Sequence, residues 1–158
     1  MTTIIDFLIT APERLSRVFG WLPPLFARMV VGWVFLWTGW GKLNNLPQMI
    51  DNFTEWGIPF PHILTPFVSA VEFGGGLLLL LGLFTRLAAT PLVIVMIVAI
   101  IAAKLGQIDS LETLLGFEET AYMALFGWLA GAGPGPVSLD HVLQSWRTPK
   151  SAAVPKTA

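Results

Sequence analysis

The sequence predicts an all-α membrane protein: a bundle of four transmembrane helices with short interfacial helices at the N-terminus, in the first outer loop and after the fourth span. Of the 158 residues, 54% are hydrophobic and only 12% are charged, which is about half the charged fraction of a soluble domain. Breaks that contain Pro and Gly divide the chain into apolar stretches close to the ~20 residues that a membrane-spanning helix needs. We therefore expect one integral membrane domain.

Four spans are predicted within residues 25–147, between an N-terminal interfacial segment at 1–24 and a disordered polar tail at 148–158. The first span follows the breaker Pro23-Pro24. Two residues, Thr85 and Arg86, separate the second span from the third, which predicts a tight antiparallel hairpin. The fourth is the least apolar, because two glutamates lie in its first turns. The predicted bounds are 25–43, 63–84, 87–105 and 114–132.

Two of the shorter helices are predicted from amphipathic patterns. The first outer loop carries an apolar stripe at helical spacing, which indicates a helix on the membrane surface; its members are Leu46, Met49, Ile50, Phe53 and Trp56. After the fourth span, Ser138 is placed to cap a last helix, with Asp140 in its first turn.

The basic residues orient the bundle. Seven of the nine fall on the side that holds both termini, and the other two, Lys42 and Lys104, fall on the opposite side. Because cytoplasmic loops are enriched in Lys and Arg, both termini are expected in the cytoplasm.

Glu72 is the most informative residue, since a carboxyl group within a span costs roughly 3 kcal/mol on insertion scales. It lies about 14 Å from the outer end of its helix, at 1.5 Å per residue. It belongs to a polar and small-residue stripe on the second span, and a similar stripe follows the first span. Charged groups in spans face the bundle interior, so these stripes are expected to face each other. Their members are Thr65, Ser69, Glu72, Gly76 and Arg86 on one and Arg28, Gly32, Gly39 and Lys42 on the other.

Three interpretations of Glu72 stay open at this point. An ion pair with Arg28 or Lys42 would hold the helices together, although each base is displaced by roughly 10 Å along the membrane normal. A protonated Glu72 could hydrogen-bond to Ser69, Thr38 or a carbonyl. A proton-transfer or ligand-binding role is the third interpretation.

A second stripe on the first span is aromatic. Trp33 and Trp37 lie deeper than the interface that Trp prefers, and Trp40 continues the row. A flat hydrophobic ligand such as a quinone could stack on the deep pair, Trp33 and Trp37. Packing against a neighbouring helix or a partner subunit is the simpler explanation.

Composition excludes several kinds of site. The chain has no cysteine, so it carries no disulfide, thiol redox centre or Cys-ligated metal. No metal site is expected, because the two histidines fall on opposite sides of the membrane. The net charge of −1 gives no basis for nucleic-acid binding.

Four motifs in this order resemble the DoxX family over about residues 25–143. They are Gly39-Trp40-Gly41-Lys42-Leu43, then Gly57-Ile58-Pro59, then Val71-Glu72-Phe73-Gly74-Gly75 with Gly82-Leu83-Phe84-Thr85-Arg86, and finally Gly133-Pro134-Gly135 with Ser138-Leu139-Asp140. Lys42, Glu72, Arg86 and Asp140 match the family pattern, and Arg28 fits its frequent basic residue early in the first span.

The resemblance implies a multi-pass protein of the bacterial inner membrane, similar to subunits that accompany quinone-linked oxidoreductases. Because the chain has no redox centre of its own, we expect a non-catalytic subunit that anchors or assembles a partner, or forms a homo-oligomer, with quinone as the candidate ligand. The expected ligand-binding or polar centre consists of Glu72, Lys42, Arg28, Trp37 and Trp40. The expected structural or rim residues are Arg86, Asp140, Gly75 and Gly39. Arg86 and Asp140 are expected to pair. Proton-coupled transport through the polar stripe and a purely structural bundle are the alternatives.

Overall fold

The computed structural model describes residues 18–147, and this part of the chain is helical, without strands. The α-helices are α1 Leu22–Asn44, α2 Leu46–Glu55, α3 Pro61–Leu81, α4 Thr85–Ala99, α5 Leu111–Gly116, α6 Glu118–Ala132 and α7 Leu139–Arg147. The predicted all-α class is confirmed. The predicted N-terminal helix and the predicted disordered tail fall largely on residues 1–17 and 148–158, outside the described residues.

Within residues 18–147, three segments are long and apolar enough to cross a bilayer: Leu22–Asn44, Pro61–Leu81 and Thr85–Gln107. They correspond to the first three predicted spans. The third continues α4 through a π-helical turn at Ile100–Lys104 and a 3₁₀ turn at Leu105–Gln107. The fourth predicted span is divided at Phe117 into α5 and the 15-residue α6. It stays a prediction, because α6 alone is about 22 Å long and the hydrocarbon core is about 30 Å thick.

The hairpin between the second and third spans has three linking residues, Gly82, Leu83 and Phe84. Gly82 ends α3 in the left-handed conformation, with φ 64°, which glycine adopts without steric cost. Its N–H donates to the carbonyl oxygen of Leu79 at 3.1 Å. The tight antiparallel turn that the sequence predicts is therefore present.

Helices α1 and α3 pack closely because glycines face backbone across their contact. A Cβ on Gly39 would lie 2.7 Å from the Cα of Phe73, and one on Gly76 would lie 2.8 Å from the carbonyl oxygen of Gly32. The polar and small-residue stripes of the first two spans therefore face each other, as predicted. The apolar core continues from this contact into α4 and α6; its largest members are Phe35, Leu79, Leu92, Met96, Phe126 and Leu129.

Helix α7 is fixed to the α3–α4 hairpin by backbone and side-chain hydrogen bonds. Ser138 caps it, because its Oγ accepts a hydrogen bond from the N–H of His141 at 3.1 Å. The N–H of Asp140 donates to the carbonyl oxygen of Gly82 at 2.9 Å. The predicted cap is thus present, and α7 lies on the side of the bundle that holds the hairpin.

Candidate functional site

The carboxylate of Glu72 meets the ammonium of Lys42 inside the helix bundle. Lys42 Nζ lies 2.7 Å from both carboxylate oxygens and donates a hydrogen bond to Oε1. Oε2 has no donor in hydrogen-bonding geometry among the described residues, so its contact with Nζ is electrostatic. The side chain of Glu72 is 2% exposed, whereas that of Lys42 is 26% exposed. The base is therefore the member of the pair that another molecule can reach.

Nearby hydroxyl groups do not bond to Glu72. Ser69 Oγ donates to the carbonyl oxygen of Thr65 at 2.7 Å, and Thr38 Oγ1 donates to the carbonyl oxygen of Val34 at 2.8 Å. Each hydroxyl thus satisfies a carbonyl of its own helix. Of the three interpretations that the sequence leaves open, the ion pair with Lys42 matches the contacts of this structure.

Arg28 lies at the other end of α1, far from this pair. Its side chain is almost completely buried, and Nη2 donates a hydrogen bond to the carbonyl oxygen of Val137. The guanidinium also packs on Gly82, where a Cβ would lie 2.9 Å from Cζ, and its charge interacts with Asp140. Lys42 and Glu72 are therefore brought together without Arg28.

Arg86 and Asp140 share one rim of the bundle but do not form the expected ion pair. The two oxygens of Asp140 accept hydrogen bonds from the N–H groups of Phe84 and Thr85, at 2.7 and 2.9 Å. Asp140 thereby caps the start of α4, where backbone N–H groups lack partners within the helix. Arg86 turns instead toward Gly133. The expected ion pair was wrong, because backbone N–H groups already bond to both oxygens of the Asp140 carboxylate.

The contact between α1 and α3 has no room for a ligand. Gly39 and Gly76 bring the two backbones together there, so a quinone ring does not fit between the first two spans. Gly75 serves another contact, since a Cβ on it would lie 3.0 Å from Leu92 of α4. Trp37 and Trp40 are about half exposed and lie outside the site. Trp40 stacks at 5.7 Å on Phe73, and Trp37 meets Trp33 edge-on.

An apolar cavity of about 380 Å³ lies on the other side of α3, bounded by α2, α3 and α4. Lys42 and Glu72 are its charged lining residues. The remaining wall is apolar and consists mainly of Phe53, Trp56, Ile58, Phe67, Val68, Val71, Ile94 and Val98. The outer edge is formed by residues with large exposed fractions, Phe67 and Ile94 among them. The cavity therefore opens sideways, toward the region that lipid would occupy.

Sequence reasoning missed the apolar wall of this cavity. Phe53 of α2 and Trp56, which directly follows this helix, belong to the amphipathic stripe that we interpreted as a surface helix, yet Phe53 is 6% exposed. Such a stripe predicts burial of one face but does not say what covers it. The usable signal was the presence of two large aromatic residues, Phe53 and Trp56, in the segment that follows Lys42 along the chain.

Comparison with known proteins gives related membrane proteins. The DoxX family model matches residues 24–105. The inner membrane protein YqjF of Escherichia coli strain K12 is 28% identical over 119 residues, which are 75% of this chain and 90% of that protein. The uncharacterized membrane protein Rv3486 of Mycobacterium tuberculosis is 36% identical over 132 residues, which are 77% of this chain and 81% of that protein. No solved structure gives a significant match.

Proposed function

The chain belongs to the DoxX family of membrane proteins, and from that premise we propose that it is an inner-membrane component of a redox complex that binds quinone in the cavity beside Lys42 and Glu72. The observation that carries the proposal is the combination of an apolar cavity with one buried ion pair at its wall. Ligand sites are commonly of this kind, with volumes of about 300–1,000 Å³, apolar walls and a few placed polar groups.

Lys42 supplies the polar contact in this proposal. An ammonium group has three N–H donors, and Glu72 accepts a hydrogen bond from Lys42 through Oε1. Because the lysine side chain is 26% exposed, it has a donor to offer the carbonyl oxygen of a quinone ring. Glu72 holds the ammonium in place and keeps the pair neutral.

The apolar wall supports the same class of ligand. Trp56 and Phe53 provide aromatic surface for a flat ring, and the sideways opening at Phe67 and Ile94 would let an isoprenoid tail remain among lipid chains. A water-soluble ligand would find little to bond with on these walls.

The chain would need a partner for redox chemistry, since it has no cysteine and quinone reduction requires an electron donor. The exposed tryptophans of α1 are the candidate face for that partner. Trp33 and Trp37 are each 55% exposed, and Trp and Tyr are enriched in the centres of protein interfaces. The predicted orientation, with both termini in the cytoplasm, would put the cavity in the outer half of the membrane.

The proton-relay alternative has less support in the bundle. Between Glu72 and the rim at Arg28, the buried residues of α3 are Gly75, Gly76 and Leu79, and none of them has a side chain that can carry a proton. Ser69 and Thr65 lie toward the opposite end of α3. In the described part of the chain, a polar path therefore leads from Glu72 to one side of the membrane.

The decisive experiment measures the quinone that stays with the protein after purification in a mild detergent. We expect bound quinone in the parent protein and a large loss in Val68→Phe, which fills the cavity without altering charge. Val30→Phe on the exposed face of α1 is the matched control and should retain quinone. Equal quinone in all three proteins, or none in the parent, would contradict the proposal.

A further inference from the structure

A second, polar cavity lies at the opposite end of the molecule, where the start of α4, the end of α6 and helix α7 come together. Its volume is about 200 Å³, and its lining residues are Arg86, Ala132, Pro134, Gly135, His141 and Gln144. None of these residues is acidic. Among the residues that the structure describes, the cavity therefore combines a guanidinium and an imidazole without a carboxylate to balance them.

Arg86 provides an uncompensated positive charge at this cavity. Its guanidinium has neither an ion pair nor a side-chain hydrogen bond within the part of the chain that the structure describes. The acid of α7, Asp140, is held by the backbone N–H groups of Phe84 and Thr85. A guanidinium fork matches the geometry of phosphate oxygens and can bond them in pairs.

Glycine leaves the guanidinium accessible. The side chain of Arg86 runs along Gly133, where a Cβ would lie 3.2 Å from Nε and 3.3 Å from Nη2. Gly133 has φ 85°, a conformation that favours glycine. Because Gly133 has no side chain, this position of the turn after α6 does not cover the guanidinium.

Helix α7 turns its apolar face outward. Leu139, Leu143 and Trp146 lie on one face by helical spacing and are 43%, 40% and 78% exposed. On the polar face, Asp140 accepts a hydrogen bond from the start of α4, and His141 lines the cavity. A helix on a water-soluble protein has the reverse arrangement. An outward apolar face beside a basic cavity is what a helix needs to lie in the headgroup region of a bilayer.

We propose that this cavity binds the phosphate of an anionic glycerophospholipid, while the apolar face of α7 lies against its acyl chains. Charge complementarity selects the anionic lipid: seven of the nine basic residues are predicted on this side, and basic residues near a membrane surface attract anionic headgroups. Arg86 is the phosphate-binding residue, and His141 supplies a second donor. The site is separate from the proposed quinone cavity and does not depend on it.

The test counts bound lipid by native mass spectrometry, after delipidation and incubation with phosphatidylglycerol or phosphatidylcholine of identical chains. We expect the parent to retain phosphatidylglycerol preferentially, and Arg86→Gln to lower that preference about fivefold. Ala132→Leu, which narrows the cavity without altering charge, should lower it as well. If Arg86→Gln does not fold, a lower preference for phosphatidylglycerol in Ala132→Leu still supports the site.

Arg147→Gln is the matched control, because it removes the same charge at the last residue of α7. We expect it to keep most of the lipid preference. An equal loss in Arg86→Gln and Arg147→Gln would overturn the site in favour of diffuse surface charge. Displacement of the lipid by millimolar inorganic phosphate would assign the site to free phosphate instead, and an absence of headgroup preference in the parent would also overturn the proposal.

Discussion

Lys42 and Glu72 form an ion pair across the contact between α1 and α3, with Nζ 2.7 Å from both carboxylate oxygens. The two residues are thirty positions apart in the chain, so the pair exists only because the helices pack as they do. It places opposite charges where either charge alone would be costly.

We expect Lys42→Met to lower the free energy of unfolding by about 3 kcal/mol, because it leaves a buried carboxylate without its partner. The double variant Lys42→Met/Glu72→Leu should recover much of that loss, since no uncompensated charge remains. Unfolding in detergent micelles, measured for both single variants and the double, gives the coupling free energy. Strictly additive effects would show that the pair does not hold the helices together.

The second ion pair, between Lys104 and Glu119, should matter less. Its distance is the same, 2.7 Å, but Glu119 is 15% exposed whereas Glu72 is 2% exposed. Water therefore screens the pair that joins the π-helical turn to α6. We expect Lys104→Met to cost about 1 kcal/mol or less, in the same unfolding assay. A cost equal to that of Lys42→Met would contradict this ranking.

Glycines of the same α3 segment should respond oppositely to alanine. Gly76→Ala would force a methyl group against the backbone of α1, 2.8 Å from the carbonyl oxygen of Gly32, so we expect a loss of about 3 kcal/mol. Gly74→Ala meets nothing within 4 Å and should be neutral or stabilising by up to about 1 kcal/mol, since alanine favours helix. Melting temperatures of the two variants provide the comparison, and similar values would refute the close contact.

Asp140→Ala should loosen α7 from the hairpin. It removes the acceptor of two N–H groups at the start of α4 and the carboxylate whose charge acts on buried Arg28. We expect a loss of about 2 kcal/mol, near the upper end for a helix cap, together with faster amide exchange at Phe84 and Thr85. Asp51→Ala, on the exposed side of α2, is the control and should leave both quantities unchanged.

Hydropathy and helical periodicity alone were enough to determine the helical membrane class, the first three spans, the hairpin and the facing stripes of α1 and α3. These features follow from local properties: the length of an apolar run, the position of Pro and Gly, and which residues share a helix face. The same reasoning identified Lys42 and Glu72 as candidate site residues, because an ionisable residue within a span is costly unless another group of the bundle pairs with it.

Only the tertiary structure decided which charges meet and where space remains. The stripe positions of Arg28 and Lys42 made both available to Glu72, but the register of α1 against α3 brings Lys42 to it and leaves Arg28 at the opposite rim. Asp140 binds backbone N–H groups rather than Arg86, which sequence spacing cannot reveal. The cavity arises from the placement of α2 over α3 and α4, since a void depends on side chains from distant segments and not on any one segment's pattern.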